Sequence, residues 1–284
     1  MSPAKRELEG QSVVITGAGG GLGEAYAFAA ARLGARIVVN DVNGDAAERV
    51  AAEIRHADGQ AVAESCDIRD PQAADALIGR CVSEFGSITG LVNNAGIFFN
   101  EPFGQASLEH LRLLLDVNVV GTFNCAHSAL EPMLKQGGGS IINVTSGAHT
   151  GQPGLSSYGA SKGAVASLTY GWACDLKETG IRVNAVSPLA FTPMAKDLPH
   201  LPPPEANVGP VLYLLSDRSR HINGQIIRIA GKNLSLMCHP ANRAPVLERD
   251  DWSLDAVAEA FNTTLSVQQL PLNVVTYEVS RVFG

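Results

Sequence analysis

Tyr158 and Lys162 stand four residues apart in the segment Tyr158-Gly159-Ala160-Ser161-Lys162. On a helix that spacing puts both side chains on one face, one turn apart. A phenol with its ordinary pKa of about 10 is a poor base at neutral pH. An ammonium on the same face favours the phenolate and brings the hydroxyl within range of acid–base work. A second constellation lies far upstream, Thr16-Gly17-Ala18-Gly19-Gly20-Gly21-Leu22-Gly23, directly after a short β-branched run. Glycines there let the backbone approach an anion, and the N-terminus of a following helix presents free N–H groups to a pyrophosphate. Asp41 closes the next β-branched run. A carboxylate at that point suits the two ribose hydroxyls of an adenosine and repels a 2′-phosphate, which points to NAD rather than NADP. The nearest basic residue after it, Arg49, already lies in the next helical stretch. Asp67, in Cys66-Asp67-Ile68, follows the third run and stands at the height of an adenine amino group.

Such residues need a scaffold of alternating elements. Ser12–Ile15, Ala35–Asn40, Ala61–Ser65, Ile88–Val92, Ser140–Val144, Ile181–Val186 and Gly224–Ile229 read as short apolar strands. Helical stretches separate them. One covers Glu24–Leu33, one runs from an Asp45 cap to about Asp58 with Gly59 as its exit, and one opens at Asp70-Pro71. A long helix is expected over Ser107–Leu134, then others over Ser157–Lys177 and Gly209–Leu215. Strands that are apolar throughout and alternate with helices indicate a parallel sheet covered on both faces. The expected fold is therefore α/β, a doubly wound, Rossmann-like sheet. This domain reads as residues 1–232, interrupted by the proline-dense His200–Glu205. From Asn233 the pattern is irregular, with one helix from Ser253 to about Thr263. Residues 233–284 read as an extension that packs on the core or on a neighbouring subunit.

The chain has 284 residues, 45% hydrophobic and 17% charged, with a formal net charge of −7. That balance argues against disorder and against a nucleic-acid partner, which would require a basic stripe. No apolar run approaches ~20 residues, so no membrane span is expected, and the first eleven residues lack the apolar core of a secretion signal. The five cysteines (Cys66, Cys81, Cys125, Cys174 and Cys238) are scattered without a Cys-x-x-Cys pair. They imply a reducing, cytoplasmic compartment and no metal site.

These motifs, together with Asn93-Asn94-Ala95-Gly96, resemble the short-chain dehydrogenase/reductase family over residues 10 to about 232. Thr-Gly-x3-Gly-x-Gly, Asn-Asn-Ala-Gly, Tyr-x3-Lys and a strand carrying Arg182-Val183-Asn184 are specific in combination. The resemblance implies an oxidoreductase that moves a hydride between a secondary alcohol or ketone and nicotinamide, assembled as a homotetramer or homodimer. It implies Tyr158 as acid and base, Lys162 lowering its pKa, Ser146 orienting the substrate oxygen and Asn118 holding a relay water. The implied cofactor contacts are Thr16, Gly17, Gly20, Gly21, Leu22, Gly23, Asp41, Val42, Asp67, Ile68, Asn94, Ala95, Gly96, Tyr158, Lys162, Pro188 and Thr192.

The chain departs from the family pattern in three places. The family's serine usually lies 13 residues before the tyrosine, a slot held here by Thr145, with Ser146 at 12. A one-residue shortening within Gly147–Pro153 keeps Ser146 in place, and both residues carry the hydroxyl the chemistry needs. Pro188-Leu189 stands where the family has Pro-Gly, and the substrate loop is trimmed to about Pro193–Pro204. A short, proline-stiffened loop suggests an open pocket, or one completed by another segment; His149 and Trp172 are further candidates to line it.

Within the family, the turn followed by Ala25-Tyr26-Ala27, the Val38-Val39-Asn40-Asp41 strand end and the short loop with a C-terminal extension are similar to one branch. It comprises the dehydrogenase portion of peroxisomal multifunctional β-oxidation enzymes and bacterial single-domain relatives. That likeness implies a 3-hydroxyacyl thioester as substrate. A steroid or other bulky cyclic alcohol is the alternative, and a catalytically silent NAD-binding sensor or scaffold is the rival of another class.

Overall fold

The structure is a computed structural model that describes residues 6–190, 201–242 and 244–269. Eight strands form one sheet: β1 (Ser12–Ile15), β2 (Arg36–Asp41), β3 (Gln60–Ser65), β4 (Gly90–Asn93), β5 (Gly139–Val144), β6 (Ile181–Leu189), β7 (Ile226–Ala230) and β8 (Asn233–Leu236). Their order is β3-β2-β1-β4-β5-β6-β7-β8. All neighbours run parallel except β7 and β8, which pair antiparallel from Ile227↔Leu236 to Ala230↔Asn233. The doubly wound, Rossmann-like expectation therefore holds. The segment from Asn233, irregular in the sequence, supplies β8.

Successive residues of a strand face opposite sides of its sheet, and β1 shows how that builds two cores. Val13 and Ile15 join the cluster under α1 (Gly21–Arg32) and α2 (Gly44–His56), whereas Val14 joins the cluster under α3 (Pro71–Phe85). The helices start where capping chemistry allows. Asn43, not Asp45, caps α2, its side-chain oxygen accepting from Ala46 N, and Asp70 caps α3 with Pro71 behind it.

The single helix expected over Ser107–Leu134 is three segments. α4 (Leu108–Leu115) and α5 (Thr122–Lys135) flank a π-helical turn over Asp116–Gly121. Gly121 lets that turn lie against Ile68; a Cβ there would come within 2.6 Å of the Ile68 side chain. The extra residue of a π-turn re-aims its side chains, a device found often at functional sites. α6 (Ser156–Asp175) and α7 (Val208–Leu215) complete the first compact unit, Met1–Met237. The second unit, Cys238–Gly284, carries α8 (Leu254–Ala260), capped by Ser253 and continued as a π-turn over Phe261–Leu265. Among the described residues no helix is long and apolar enough to cross a membrane, and no cluster of metal ligands occurs.

Candidate active site

Strand order reverses between β1 and β4, and open α/β sheets bind ligands at the carboxyl ends of their strands at such a point. A cavity of about 410 Å³ bounded by those ends is lined by residues of the glycine turn, Asp41, Asn94–Gly96, Val144–Ser146, Tyr158, Lys162 and Pro188–Ala190. A separate apolar groove of about 510 Å³ between α7, β7 and β8 has Lys232 as its one charged lining residue.

The glycine turn is stitched to the Asn94–Gly96 loop. Thr16 Oγ1 accepts from Asn94 N and Ala95 N, each at 3.0 Å, and Asn94 Nδ2 donates to Thr16 O at 2.9 Å and Gly17 O at 3.0 Å. Gly17 has φ +61°, and a Cβ there would come 2.8 Å from Ala95 Cα, so this approach requires glycine. Gly20 caps α1 without any side-chain bond, and a Cβ on it would meet nothing within 4 Å, leaving the helix N-terminus open. Asp41 is aligned by two backbone donors: Gly19 N to Oδ2 and Asn43 N to Oδ1, each at 3.0 Å. Val42 beside it is exposed and Ile68 is buried. Asp67 is gripped by Arg69, whose Nε donates to both carboxylate oxygens; that guanidinium holds the carboxyl below its usual range.

The two hydroxyls at the end of β5 have different surroundings. Thr145 is buried and its Oγ1 donates to Lys162 O at 2.7 Å. Ser146 Oγ accepts from Ala148 N at 3.2 Å and hydrogen-bonds with Tyr158. Tyr158 lies edge-on to Phe98, ring centroids 4.9 Å apart. Lys162 Nζ donates to Val144 O at 2.8 Å and sits 5.9 Å from the Tyr158 ring centre. Asn118, carried by the π-turn and fully buried, holds the loop that follows β4. Its Nδ2 donates to Ile97 O at 3.1 Å and Ser161 Oγ at 3.0 Å, and its Oδ1 accepts from Ile97 N at 2.8 Å. Both amide protons are thus engaged, leaving one lone pair of Oδ1 for another donor. Gly96 makes room for this cluster, since a Cβ there would lie 3.0 Å from Asn118 Oδ1 and 3.3 Å from Lys162 Nζ.

Burial dominates the electrostatics. It pushes the Tyr158 hydroxyl above its ordinary range, and the bond with Ser146 pulls the other way. Burial acts on the Lys162 ammonium as well and brings it down to about 8. The end of β6 is clamped from behind: Arg228 Nη1 donates to Ser187 O at 3.2 Å and Ser187 Oγ at 3.1 Å, and Asn207 Nδ2 donates to Leu189 O at 3.2 Å. Pro188-Leu189 is therefore held as strand backbone.

The short chain dehydrogenase family model matches residues 11–200. The chain belongs to the short-chain dehydrogenase/reductase family. It is accordingly an oxidoreductase. It is 35% identical over 241 residues to the 7alpha-hydroxysteroid dehydrogenase of Escherichia coli K12, covering 79% of this chain and 94% of that protein. It is 31% identical to the mouse peroxisomal multifunctional enzyme type 2, over 86% of this chain but 36% of that longer protein. Among solved structures it resembles a short chain dehydrogenase from Mycobacterium avium, with TM-score 0.86, 31% identity and 94% and 99% of the two chains covered. A 7alpha-hydroxysteroid dehydrogenase complexed with NADH and 7-oxo glycochenodeoxycholic acid superposes with TM-score 0.76 and 34% identity, covering 82% and 97% of the two chains.

Two expected pocket residues lie elsewhere. His149 Nδ1 turns to the Ser146 carbonyl, and Trp172 tilts against Phe123; neither lines the cavity. Thr192 and residues 193–200 of the trimmed loop lie outside the described residues. The lining adds Ile97, Phe98, Gln152, Leu155, Ala190 and Leu201, which sequence reasoning missed. Phe98 had a signal, standing two residues past the Asn-Asn-Ala-Gly motif; the others reach the cavity only through the fold.

Proposed function

We propose that this chain is an NAD-dependent dehydrogenase or reductase of a bulky, largely apolar secondary alcohol or ketone. The observation that carries the reading is the convergence of Ser146, Tyr158 and Lys162 on a cavity that also contains the glycine turn and Asp41. The open N-terminus at Gly20 fits a pyrophosphate, and Asp41, with both oxygens aligned by backbone N–H groups, fits a ribose diol rather than a 2′-phosphate. The other cofactor contacts in this reading are Asn94–Gly96, Asp67, Ile68, Val42 and Pro188, with Thr192 beyond them. When bound, the nicotinamide accepts or returns the hydride.

The chain's own residues handle the proton. Ser146 Oγ holds the substrate oxygen, where charge gathers during reaction. Tyr158 takes the proton from the alcohol or returns it to the alkoxide. Lys162, with an ammonium near 8, favours the tyrosinate and exchanges protons at neutral pH. Asn118 steadies the Ile97 backbone and offers its remaining lone pair to a relay water.

Phe98, Leu155, Leu189 and Leu201, with Gln152 as a single amide, favour an alicyclic substrate of the hydroxysteroid kind. A 3-hydroxyacyl thioester is the second reading, supported by a similarity to the multifunctional enzyme that spans 86% of the chain, more than the family model covers. Exposed Val120 and Phe123 support a homodimer or homotetramer, with the C-terminal extension as part of the assembly. The absence of disulfides among the five cysteines suits a cytoplasmic protein.

Tyr158→Phe tests the reading. Turnover of NAD with a panel of hydroxysteroids, alicyclic alcohols and 3-hydroxyacyl thioesters is followed by nicotinamide absorbance. The variant should lose about 10²–10⁴-fold in kcat while calorimetric NAD affinity stays unchanged. Turnover at the wild-type rate in the variant refutes it, and no turnover of any panel member by the wild type favours the silent scaffold.

A further inference from the structure

Gly19 is held on both sides of its peptide. Its N–H donates to Asp41 Oδ2 at 3.0 Å, and its carbonyl accepts from Arg49 Nη2 at 3.1 Å. Arg49, on α2, is thereby joined to the same turn residue as the carboxylate read here as the ribose ligand. Its other terminal nitrogen, Nη1, donates to Glu24 Oε1 at 2.8 Å and Glu53 Oε1 at 3.0 Å. Two carboxylates thus cancel the charge of a guanidinium that is linked to Asp41 through Gly19. They differ in setting. Glu53 lies on the same helix, four residues on, with its side chain half exposed at 50%, whereas Glu24 on α1 is the more enclosed at 26%. The turn has no room for a cation of its own at Gly19, because a Cβ there would come 2.8 Å from Ala46 Cβ and 2.9 Å from Asp41 Oδ2.

We propose that Arg49 is a latent cation for the 2′-phosphate of NADP and that Glu24, by clamping it to α1, is with Asp41 a second determinant of NAD selectivity. Arg matches phosphate by two parallel N–H donors, and a guanidinium already bonded to Glu24, Glu53 and Gly19 lacks the free fork to do so. Asp41 repels the 2′-phosphate and Glu24 withholds the group that would attract it. The inference rests on the reading of Asp41 as the ribose carboxylate.

The experiment is calorimetric titration of the full chain with NAD and with NADP, ligands that differ only by the 2′-phosphate. The quantity read is the ratio of the two affinities, which cancels any effect of Glu24 on the shared pyrophosphate. Asp41→Ala should move the ratio towards NADP; an unchanged ratio at this step refutes the reading of Asp41 alone. In that background Glu24→Gln should move it about fivefold further, the upper end for an exposed charge pair. With Arg49→Met added, the Glu24→Gln gain should vanish. A gain of the same size without Arg49 means simple removal of negative charge and overturns the proposal, as does no gain at all with Arg49 present. Glu24 and Arg49 are on partly exposed helix surface, and matched thermal melts confirm that all five proteins (wild type, Asp41→Ala, its two doubles and the triple) are folded.

Discussion

Replacing Lys162 by methionine should stabilise the protein while abolishing its chemistry. The ammonium is enclosed, and burial brings it from 10.5 down to about 8. That fall corresponds to about 3 kcal/mol against the charged folded form at pH 7. Lys162→Met removes the charge and keeps a flexible chain of similar length. Val144 O then loses its 2.8 Å donor, at a cost of about 1–2 kcal/mol. The variant should therefore exceed the wild type by about 1–2 kcal/mol at pH 7. The pH dependence carries the sign. The folded value lies below the unfolded one, so the unfolded chain binds the extra proton between about 8 and 10.5. The penalty is complete below that window and fades as pH rises through it. The variant's advantage should shrink by about 1.3 kcal/mol between pH 7 and pH 9. Burial also pushes the thiols of Cys66, Cys81 and Cys125 up to about 11, 12 and 12, which erodes stability at alkaline pH. That erosion is common to both proteins and cancels in their difference. Urea unfolding of both proteins at pH 7, 8 and 9 measures it. A stability difference that stays constant across this range refutes the desolvation of Lys162 as the source of its perturbed acidity.

Two further outcomes follow from the site and the core. Ser146→Ala should lower kcat by about 10²–10³-fold and cost only about 0.5 kcal/mol of stability for the lost acceptor of Ala148 N. Thr145→Val should instead cost about 1–2 kcal/mol of stability, because its hydroxyl supports the Lys162 carbonyl; the opposite pattern in paired kinetics and melts exchanges their roles. Tyr26 is fully enclosed and its hydroxyl has no partner, so Tyr26→Phe should raise the urea midpoint by about 1 kcal/mol equivalent. A loss of stability in that variant refutes the orphaned hydroxyl.

How legible the site was in the sequence depends on how local each feature is. The glycine turn is a local statement. Thr16–Gly23 between an apolar run and a helix has few backbone solutions, and Gly17 at φ +61° is one that only glycine adopts freely. Asp41 is local too, since it ends a strand whose length the apolar run sets. The Tyr158–Lys162 spacing needs only a helix, and α6 provides it. The register of Thr145 and Ser146 is not local: both carry a hydroxyl, and counting back from Tyr158 favours the one that proves to be buried beneath Lys162. The π-turn at Asn118 escaped a helical periodicity read as unbroken, because one extra residue leaves the apolar pattern nearly intact, and the contact of its Gly121 with Ile68 joins residues remote in sequence. The Asp67–Arg69 fork joins residues two apart, yet that spacing alone does not fix it, because the two side chains meet only in the loop conformation the fold imposes.

By itself, the sequence determined the alternation of strands and helices, the anion-ready turn and the residue types able to move a proton. Each follows from backbone sterics, capping and side-chain spacing along a short stretch of chain. Only the tertiary structure decided which hydroxyl meets Tyr158, how far Lys162 is stripped of water, and that Arg49 is clamped by Glu24 beside Asp41. Those outcomes depend on burial and on contacts between residues distant in the chain, and desolvation has no counterpart in a linear pattern.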